Sequence, residues 1–222
     1  MAQTVKVKST QHLTHDVLKI VLEKPKDLTF NPGQAVDFAI NKPGWEDQWR
    51  SFTFTSHPTD DDIEFNIKTY PDHGGVTNEL LNLKEGEEVN IGDVYGDIQY
   101  KGEGVFIAGG AGITPFIAIL KDLQNQHKLG NNKLIFANKT QADIIQKELL
   151  EGILGKNFIN VLSDEKVEGF EHGFVSAELI KKYMEGNQQF FYLCGPPPMM
   201  NAMAKHFEAL GIPEERIVKE GF

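Results

Sequence analysis

The sequence predicts two domains in series, an antiparallel β-barrel over residues 1–101 and a doubly wound parallel α/β sheet over residues 102–222. Three observations carry this. The first hundred residues hold short Val-, Ile- and Phe-rich runs, separated by Pro, Gly, Asn and Asp clusters. Residues 105–108, Val-Phe-Ile-Ala, form the continuous apolar run of a strand buried on both faces. From there on, strand-like runs alternate with helical ones, as in a parallel sheet covered by helices.

In the first half, residues 5–8, 17–22, 35–40, 50–55 and 63–68 read as strands. Lys24-Pro25, Asn31-Pro32-Gly33, Lys42-Pro43-Gly44 and the acidic turn 59–62 bound them. Thr77 is placed as the N-cap of a short helix over 78–83, and residues 84–91 turn into a further strand. The junction is Lys101-Gly102-Glu103-Gly104. In the second half, strands are expected at 105–108, 134–137, 158–162, 190–194 and 217–218, with helices at 115–126, 143–150, 176–183 and 198–210.

Composition excludes several chemistries. Cys194 is the single cysteine, so an intrachain disulfide, a Cys-ligated iron–sulfur cluster and a multi-cysteine zinc site are ruled out. A reducing, cytoplasmic setting fits. The N-terminus lacks a continuous apolar segment, so no secretory signal is expected. No stretch reaches the roughly 18–20 apolar residues of a membrane span. The net charge of −10 argues against non-specific nucleic-acid binding. The seven histidines form no His-Glu-x-x-His pattern and Asp60 to Asp62 lack calcium-loop spacing, so no metal site is expected.

The sharpest local signal is the turn Gly109-Gly110-Ala111-Gly112-Ile113-Thr114-Pro115. Glycines let a ligand approach the backbone, and a helix N-terminus offers free N–H groups and positive dipole to a pyrophosphate. Thr114 is placed as N-cap and Pro115 at the first helical position. The turn departs from the usual Gly-x-Gly-x-x-Gly pattern, because Pro115 stands where the third glycine belongs. Where an acidic ribose ligand is sought, about twenty residues on, the chain reads Asn131-Asn132-Lys133.

With three further motifs in the same order, the turn resembles the nicotinamide-binding loop of the ferredoxin–NADP reductase superfamily of flavoprotein reductases. Arg50-Ser51-Phe52-Thr53 resembles its Arg-x-Tyr-Ser/Thr flavin motif. Gly74-Gly75-Val76-Thr77-Asn78-Glu79-Leu80 resembles its Gly-x-x-Ser/Thr-x-x-Leu phosphate loop. Cys194-Gly195-Pro196-Pro197-Pro198-Met199 resembles its Cys-Gly-Pro-x-x-Met motif. The likeness runs from about residue 5 to 222.

The resemblance implies a barrel that holds FAD and an α/β domain that holds NADH or NADPH. Arg50 would bond the flavin's phosphate, as a planar guanidinium fork suits. Phe52 replaces the usual tyrosine and reads equally as a ring against the flavin or as core. Thr53 would lie near flavin N5, and period-two alternation puts it on the face opposite Arg50 and Phe52 unless a bulge or strand end intervenes. Gly74, Gly75, Val76 and Thr77 would give backbone N–H groups to the diphosphate. Gly110, Gly112, Thr114 and Pro115 would cradle the nicotinamide nucleotide, with Cys194 beside its ring and Gly195, Pro196 and Met199 binding the same cofactor from the rigid loop that follows. At the end of the chain Phe222 would cover the flavin and Glu220 would lie near the nicotinamide; a frayed tail is the alternative.

Cofactor choice turns on charge. NADPH-specific members place Ser-Arg after the third strand of this domain, where this chain reads Ser163-Asp164-Glu165. Asp164 repels a 2′-phosphate and can accept from a free ribose hydroxyl, so NADH is expected, with Lys139 and Lys166 as opposing charges. The implied activity is hydride transfer from nicotinamide to flavin N5, then electron delivery to a redox partner protein, such as flavodoxin, ferredoxin or an oxygenase component, or to a small acceptor. The rival is a non-catalytic flavin-binding electron-transfer subunit.

Overall fold

The computed structural model describes residues 2–220. The first half contains β1 (Gln3–Thr14), β2 (Val17–Glu23), β3 (Ala35–Ile40), β4 (Arg50–Thr53), β5 (Asp62–Lys68), the one-turn helix α1 (Val76–Glu79) and β6 (Glu88–Tyr95). The strands form one antiparallel six-stranded sheet in the order β4-β3-β6-β1-β2-β5. The two ends of that sheet meet at an antiparallel bridge between Phe54 and Phe65, which closes it into a barrel. Alternation decides what fills it: Ile63, Phe65 and Ile67 point inward beside Ile20, Leu22, Val36, Phe38 and Val89.

The second half contains β7 (Gly104–Gly109), α2 (Thr114–Asn125), β8 (Lys133–Asn138), α3 (Lys147–Leu154), β9 (Phe158–Leu162), β10 (Glu171–His172), α4 (Ala177–Tyr183), β11 (Phe190–Cys194), α5 (Pro197–Ala209) and β12 (Ile217–Val218). Its parallel sheet has the order β10-β9-β8-β7-β11-β12. Phe106 and Ala108 of β7 face α2 and α3, while Val105 and Ile107 face α4 and α5. Burial on both sides is the reason this strand reads as an unbroken apolar run. No helix among the described residues is long and apolar enough to cross a membrane.

The barrel and the sheet share core. Val17 and Ile98 from the barrel side pack into the α2–α3 layer, with Leu13 and Tyr100 against it. The junction is held from β11: the Tyr192 hydroxyl accepts from the backbone N–H groups of Lys101 (2.9 Å) and Gly102 (3.0 Å) and donates to Gly102 O (2.7 Å). The buried Asn132 accepts from Gly104 N (2.9 Å) and donates to Tyr100 Oη (3.0 Å) and Leu129 O (2.8 Å).

Several local expectations are corrected. β1 runs on to Thr14 because its polar half pairs with β2, which no apolar pattern announces. Thr77 lies inside α1; its N-cap is Gly75, without a side-chain cap. α3 starts at Lys147, because Asp143 closes a capping box with Thr140 and Gln146 sits at φ 56°. The short edge strand β10 was not expected from its sequence, Glu171-His172. Ser176 does cap α4, accepting from Leu179 N at 3.2 Å.

Candidate functional site

The strand order reverses direction at β7. β8 and β9 lie on one side of it and β11 on the other, so a crevice opens outside the carboxyl ends of β7 and β11. In open α/β sheets ligands bind at such a switch point. β7 ends in Gly109 and β11 ends in Cys194, so two of the four motifs meet here. Their contact is backbone on backbone at Gly112 and backbone on side chain at Gly109. A Cβ on Gly112 would lie 2.3 Å from Cys194 O, and one on Gly109 would meet Met199 Sδ at 2.5 Å and Pro196 Cδ at 2.9 Å. A Cβ on Gly195 would lie 2.9 Å from the same Met199 sulfur. At Gly112 the obstacle is backbone, which requires glycine; at Gly109 and Gly195 it is side chain, the Met199 thioether and, at Gly109, the Pro196 ring.

Gly110 differs. It sits at φ +51°, and nothing lies within 4 Å of where its Cβ would be. The turn therefore leaves open space at Gly110, just ahead of α2. That helix begins with Thr114 and Pro115 as its first two residues, after a 3-10 turn over Gly110–Ile113. Thr114 is not the N-cap expected; the cap is Ile113, and the Thr114 hydroxyl donates back to Ala111 O at 3.0 Å. Pro115 is correspondingly second rather than first.

On the barrel side, β4 ends at Thr53, which supplies the strand end needed near that residue. Arg50 and Ser51 are exposed, and Arg50 Nη1 donates to Trp49 O at 2.7 Å. Phe52 is half-buried and meets Phe38 edge-on, ring centroids 5.4 Å apart, so part of its face belongs to the barrel core. Gly74 (φ +57°) and Gly75 have no atoms within 4 Å of a Cβ position, while Val76 is buried and anchors the loop.

Glu220 links the two sides. Its Oε2 accepts from Asp97 N at 3.3 Å. Its Oε1 lies 3.5 Å from the Cβ position of Gly96, which is itself 3.6 Å from Ala35 N. Ala35 is the β3 partner of Thr53. Burial, with the Glu220 carboxylate adding to it, pushes the Cys194 thiol up to about 12. One carboxylate thus stands beside the carboxyl end of β11 and beside the strand pair that carries Thr53. Phe222 lies outside the described residues.

Farther along the crevice, Ser163 and Asp164 follow the carboxyl end of β9, held by Ser163 N to Asn138 O (3.0 Å) and Asp164 N to Lys139 O (2.9 Å). The Ser163 hydroxyl donates to Asp164 Oδ1 at 2.6 Å. Glu165 is engaged elsewhere, accepting from Gln141 N at 2.8 Å. The stretch 131–133, where an acidic ribose ligand is sought, leads into β8, whose first residue is Lys133, at the opposite end of the sheet. Sequence reading missed Phe174. It is 85% exposed, and Gly173 N just before it donates to Leu162 O at 2.8 Å, which places this aromatic beside Ser163 and Asp164. A lone phenylalanine after glycine gives no periodic signal that could have found it. Elsewhere His15, Asp16 and Asp143 bring ligand-type atoms within 4.8 Å of one another, and Asp16 is already paired with Lys68 at 2.6 Å.

Comparison with known proteins agrees with this geometry. Residues 4–100 match the oxidoreductase FAD-binding domain and residues 106–205 the oxidoreductase NAD-binding domain. NADH-cytochrome b5 reductase 1 of Aspergillus oryzae is 32% identical, over 98% of this chain and 82% of that protein. The propane 2-monooxygenase reductase component of Mycolicibacterium smegmatis is 31% identical over 97% of this chain, which spans 66% of that relative's length. The flavohem-like FAD/NAD-binding domain of nitric oxide dioxygenase from Vibrio cholerae shares the fold, with a TM-score of 0.88 and 24% identity, covering 99% of this chain and 98% of that one. The chain belongs to the ferredoxin–NADP reductase family of flavoprotein reductases, an FAD-binding barrel followed by an NAD-binding α/β domain.

Proposed function

We propose that the protein is an NADH-dependent flavoprotein reductase that delivers electrons to a redox partner protein. The observation that carries this is the position of Glu220, between the switch-point crevice and the Ala35–Thr53 strand pair. It supports one cleft rather than two separate surfaces. The residues fit both cofactors. Gly110, with open space at its Cβ, and the N–H groups at the start of α2 suit a dinucleotide pyrophosphate. The open Gly74-Gly75 turn and the exposed Arg50 suit the phosphates of FAD.

Bound FAD supplies a two-electron acceptor for hydride and a one-electron donor to the partner. The chain's own residues bind, orient and exclude water. Gly112 and Gly195 let the two loops meet at the end of β7 and β11, where they would hold the nicotinamide. Cys194, held as a neutral thiol, would line the nicotinamide site and takes no proton there. Thr53 offers a hydroxyl at the end of β4. Pro115, Pro196 and Met199 stiffen the crevice walls. Asp164 accepts from the free ribose hydroxyl of NADH and opposes a 2′-phosphate, while Phe174 offers a face to the adenine. The domain division at 101/102 belongs to the same reading, as does a cytoplasmic setting. For the acceptor we take a partner protein, an oxygenase component or a cytochrome b5, as the names of the two relatives describe.

The test is colour. Purified protein should be yellow, release FAD on heating, as identified by chromatography, and bleach on anaerobic addition of NADH. Yellow protein that does not bleach would leave a flavin-binding electron-transfer subunit. Colourless protein that ignores added FAD would end the proposal.

A further inference from the structure

Two consecutive residues of α2, Lys121 and Asp122, reach across to the barrel. Lys121 Nζ donates to Thr55 O at 2.7 Å and lies 3.7 Å from Glu64 Oε1. Glu64 also accepts from the Thr55 hydroxyl at 2.8 Å and pairs with Lys19 at 2.6 Å. Asp122 Oδ1 meets His57 Nε2 at 2.9 Å, and the other ring nitrogen of His57 meets Thr59 Oγ1 at 2.7 Å. Thr55 and Ser56 are buried. The barrel segment being held, 55–57, continues directly from β4.

Both ends of this tie lie on segments that carry candidate site residues, α2 with Thr114 and Pro115 and the chain after β4 with Thr53. Lys121 sits two helical turns after Thr114, about 10 Å along a rigid rod from the glycine turn. Thr55 is two residues beyond Thr53, separated from it only by Phe54, whose bridge to Phe65 fixes the chain there. A helix does not bend over two turns and a paired strand does not slide. A change at this tie is therefore transmitted to the spacing between the nucleotide loop and the flavin strand.

We propose that Lys121 is a positioning residue for hydride transfer, fixing the approach of the nicotinamide to the flavin by tying α2 to the end of β4. The inference rests on the reductase reading above. It predicts a specific kinetic pattern, because ring spacing governs the chemical step far more than the binding of either cofactor. A misplacement of about 1 Å costs on the order of a hundredfold in such steps.

The experiment uses the full chain loaded with FAD and mixes it anaerobically with NADH in a stopped-flow instrument. Lys121→Met keeps the aliphatic stem and removes the donor. The expected result is wild-type flavin content, an NADH Kd within about twofold, a long-wavelength nicotinamide–flavin charge-transfer band that is weakened, and hydride transfer slowed at least about tenfold. Lys121→Arg, which keeps the charge and a donor, should recover most of the lost rate. Wild-type hydride transfer in Lys121→Met overturns the inference, as does equal slowing in Met and Arg variants, or slowing that only mirrors lost flavin. If Lys121→Met does not fold, Lys121→Gln replaces it: its polar head ends one atom short of the Thr55 carbonyl, and a wild-type rate there overturns the inference equally. Wild-type protein that fails to bleach overturns the reductase reading itself; a bleaching wild type with an unaffected variant overturns this inference alone.

Discussion

The α-carbon of Gly112 faces the carbonyl oxygen of Cys194 so closely that a methyl group there would lie 2.3 Å from it. Both neighbours are backbone, so neither can swing away. Gly112→Ala must push the turn off β11, an overpacking cost of about 1–3 kcal/mol. For a chain of this size that lowers Tm by about 2–12 °C. Gly110→Ala meets open space and bears only the left-handed strain, about 1–2 kcal/mol, but its methyl enters the space proposed for the nucleotide. Its expected signature is a weaker NADH affinity, measured by titration, with a smaller loss of Tm than Gly112→Ala. Equal NADH affinity in Gly110→Ala and wild type would remove the turn from the binding site.

The thiol of Cys194 is expected to resist alkylation. Its pKa is pushed up to about 12 by burial, with Glu220 adding to it. At pH 8 iodoacetamide should react at least about a hundredfold more slowly than with a free thiol of ordinary pKa near 8.5. The sign for stability follows: the unfolded thiol ionises first, so stability is lost as pH rises from the ordinary thiol range toward 12. Rapid alkylation of the native protein would show that the thiol is neither buried nor neutral.

Tyr192→Phe removes the hydroxyl that accepts from Lys101 and Gly102 and donates to Gly102. Leaving these partly buried groups unpaired costs about 1–3 kcal/mol. Denaturant unfolding should show that loss, and hydrogen exchange should quicken at the Lys101 and Gly102 amides. Unchanged protection there would mean that the ring stack of Tyr100, Phe106 and Tyr192 and the Asn132 hydrogen bonds hold the junction without this hydroxyl.

Glu64 makes the barrel–sheet contact acid-sensitive. Burial raises its pKa, but Lys121, Lys19 and the Thr55 hydroxyl outweigh that and leave it lowered. A lowered carboxyl contributes stability that is fully present above the ordinary glutamate value, about 4.3, and is lost as pH falls through the folded-state value. Glu64→Gln should therefore flatten the acid limb of a Tm-against-pH curve. A parallel curve would place the acid sensitivity in other carboxylates.

Asp164→Asn should improve NADPH use. Removing one negative charge beside a bound 2′-phosphate relieves a repulsion of about 1–4 kcal/mol at 4 Å, so the NADPH-to-NADH ratio of kcat/KM should rise on the order of tenfold. An unchanged ratio would mean that Asp164 does not face the ribose.

The sheet architecture was legible because β7 announces itself: Val105, Phe106, Ile107 and Ala108 are all buried, two toward each helical layer. The barrel's strands were legible where one face is apolar, as in Ile63, Phe65 and Ile67. The polar run from Ser9 to Thr14 was not, since its strand character comes from pairing with β2 rather than from burial. Capping was misread at Thr77 and Thr114 because a hydroxyl residue near a helix start suits more than one position. At Thr114 the hydroxyl found a carbonyl, Ala111 O, instead of an amide. The motif residues could be picked out one at a time, but the crossing contacts, Lys121 to Thr55 and Glu220 to Asp97, join positions far apart in sequence and leave no pattern along it.

The parallel sheet is flanked by β10 and β12, each two residues long, and the barrel closes on itself through Phe54 and Phe65. Unpaired strand margins are where folded chains recruit one another into fibres. Among the described residues neither half presents such a margin of useful length, so a concentrated solution of the native protein should stay free of cross-β assemblies and bind no amyloid dye.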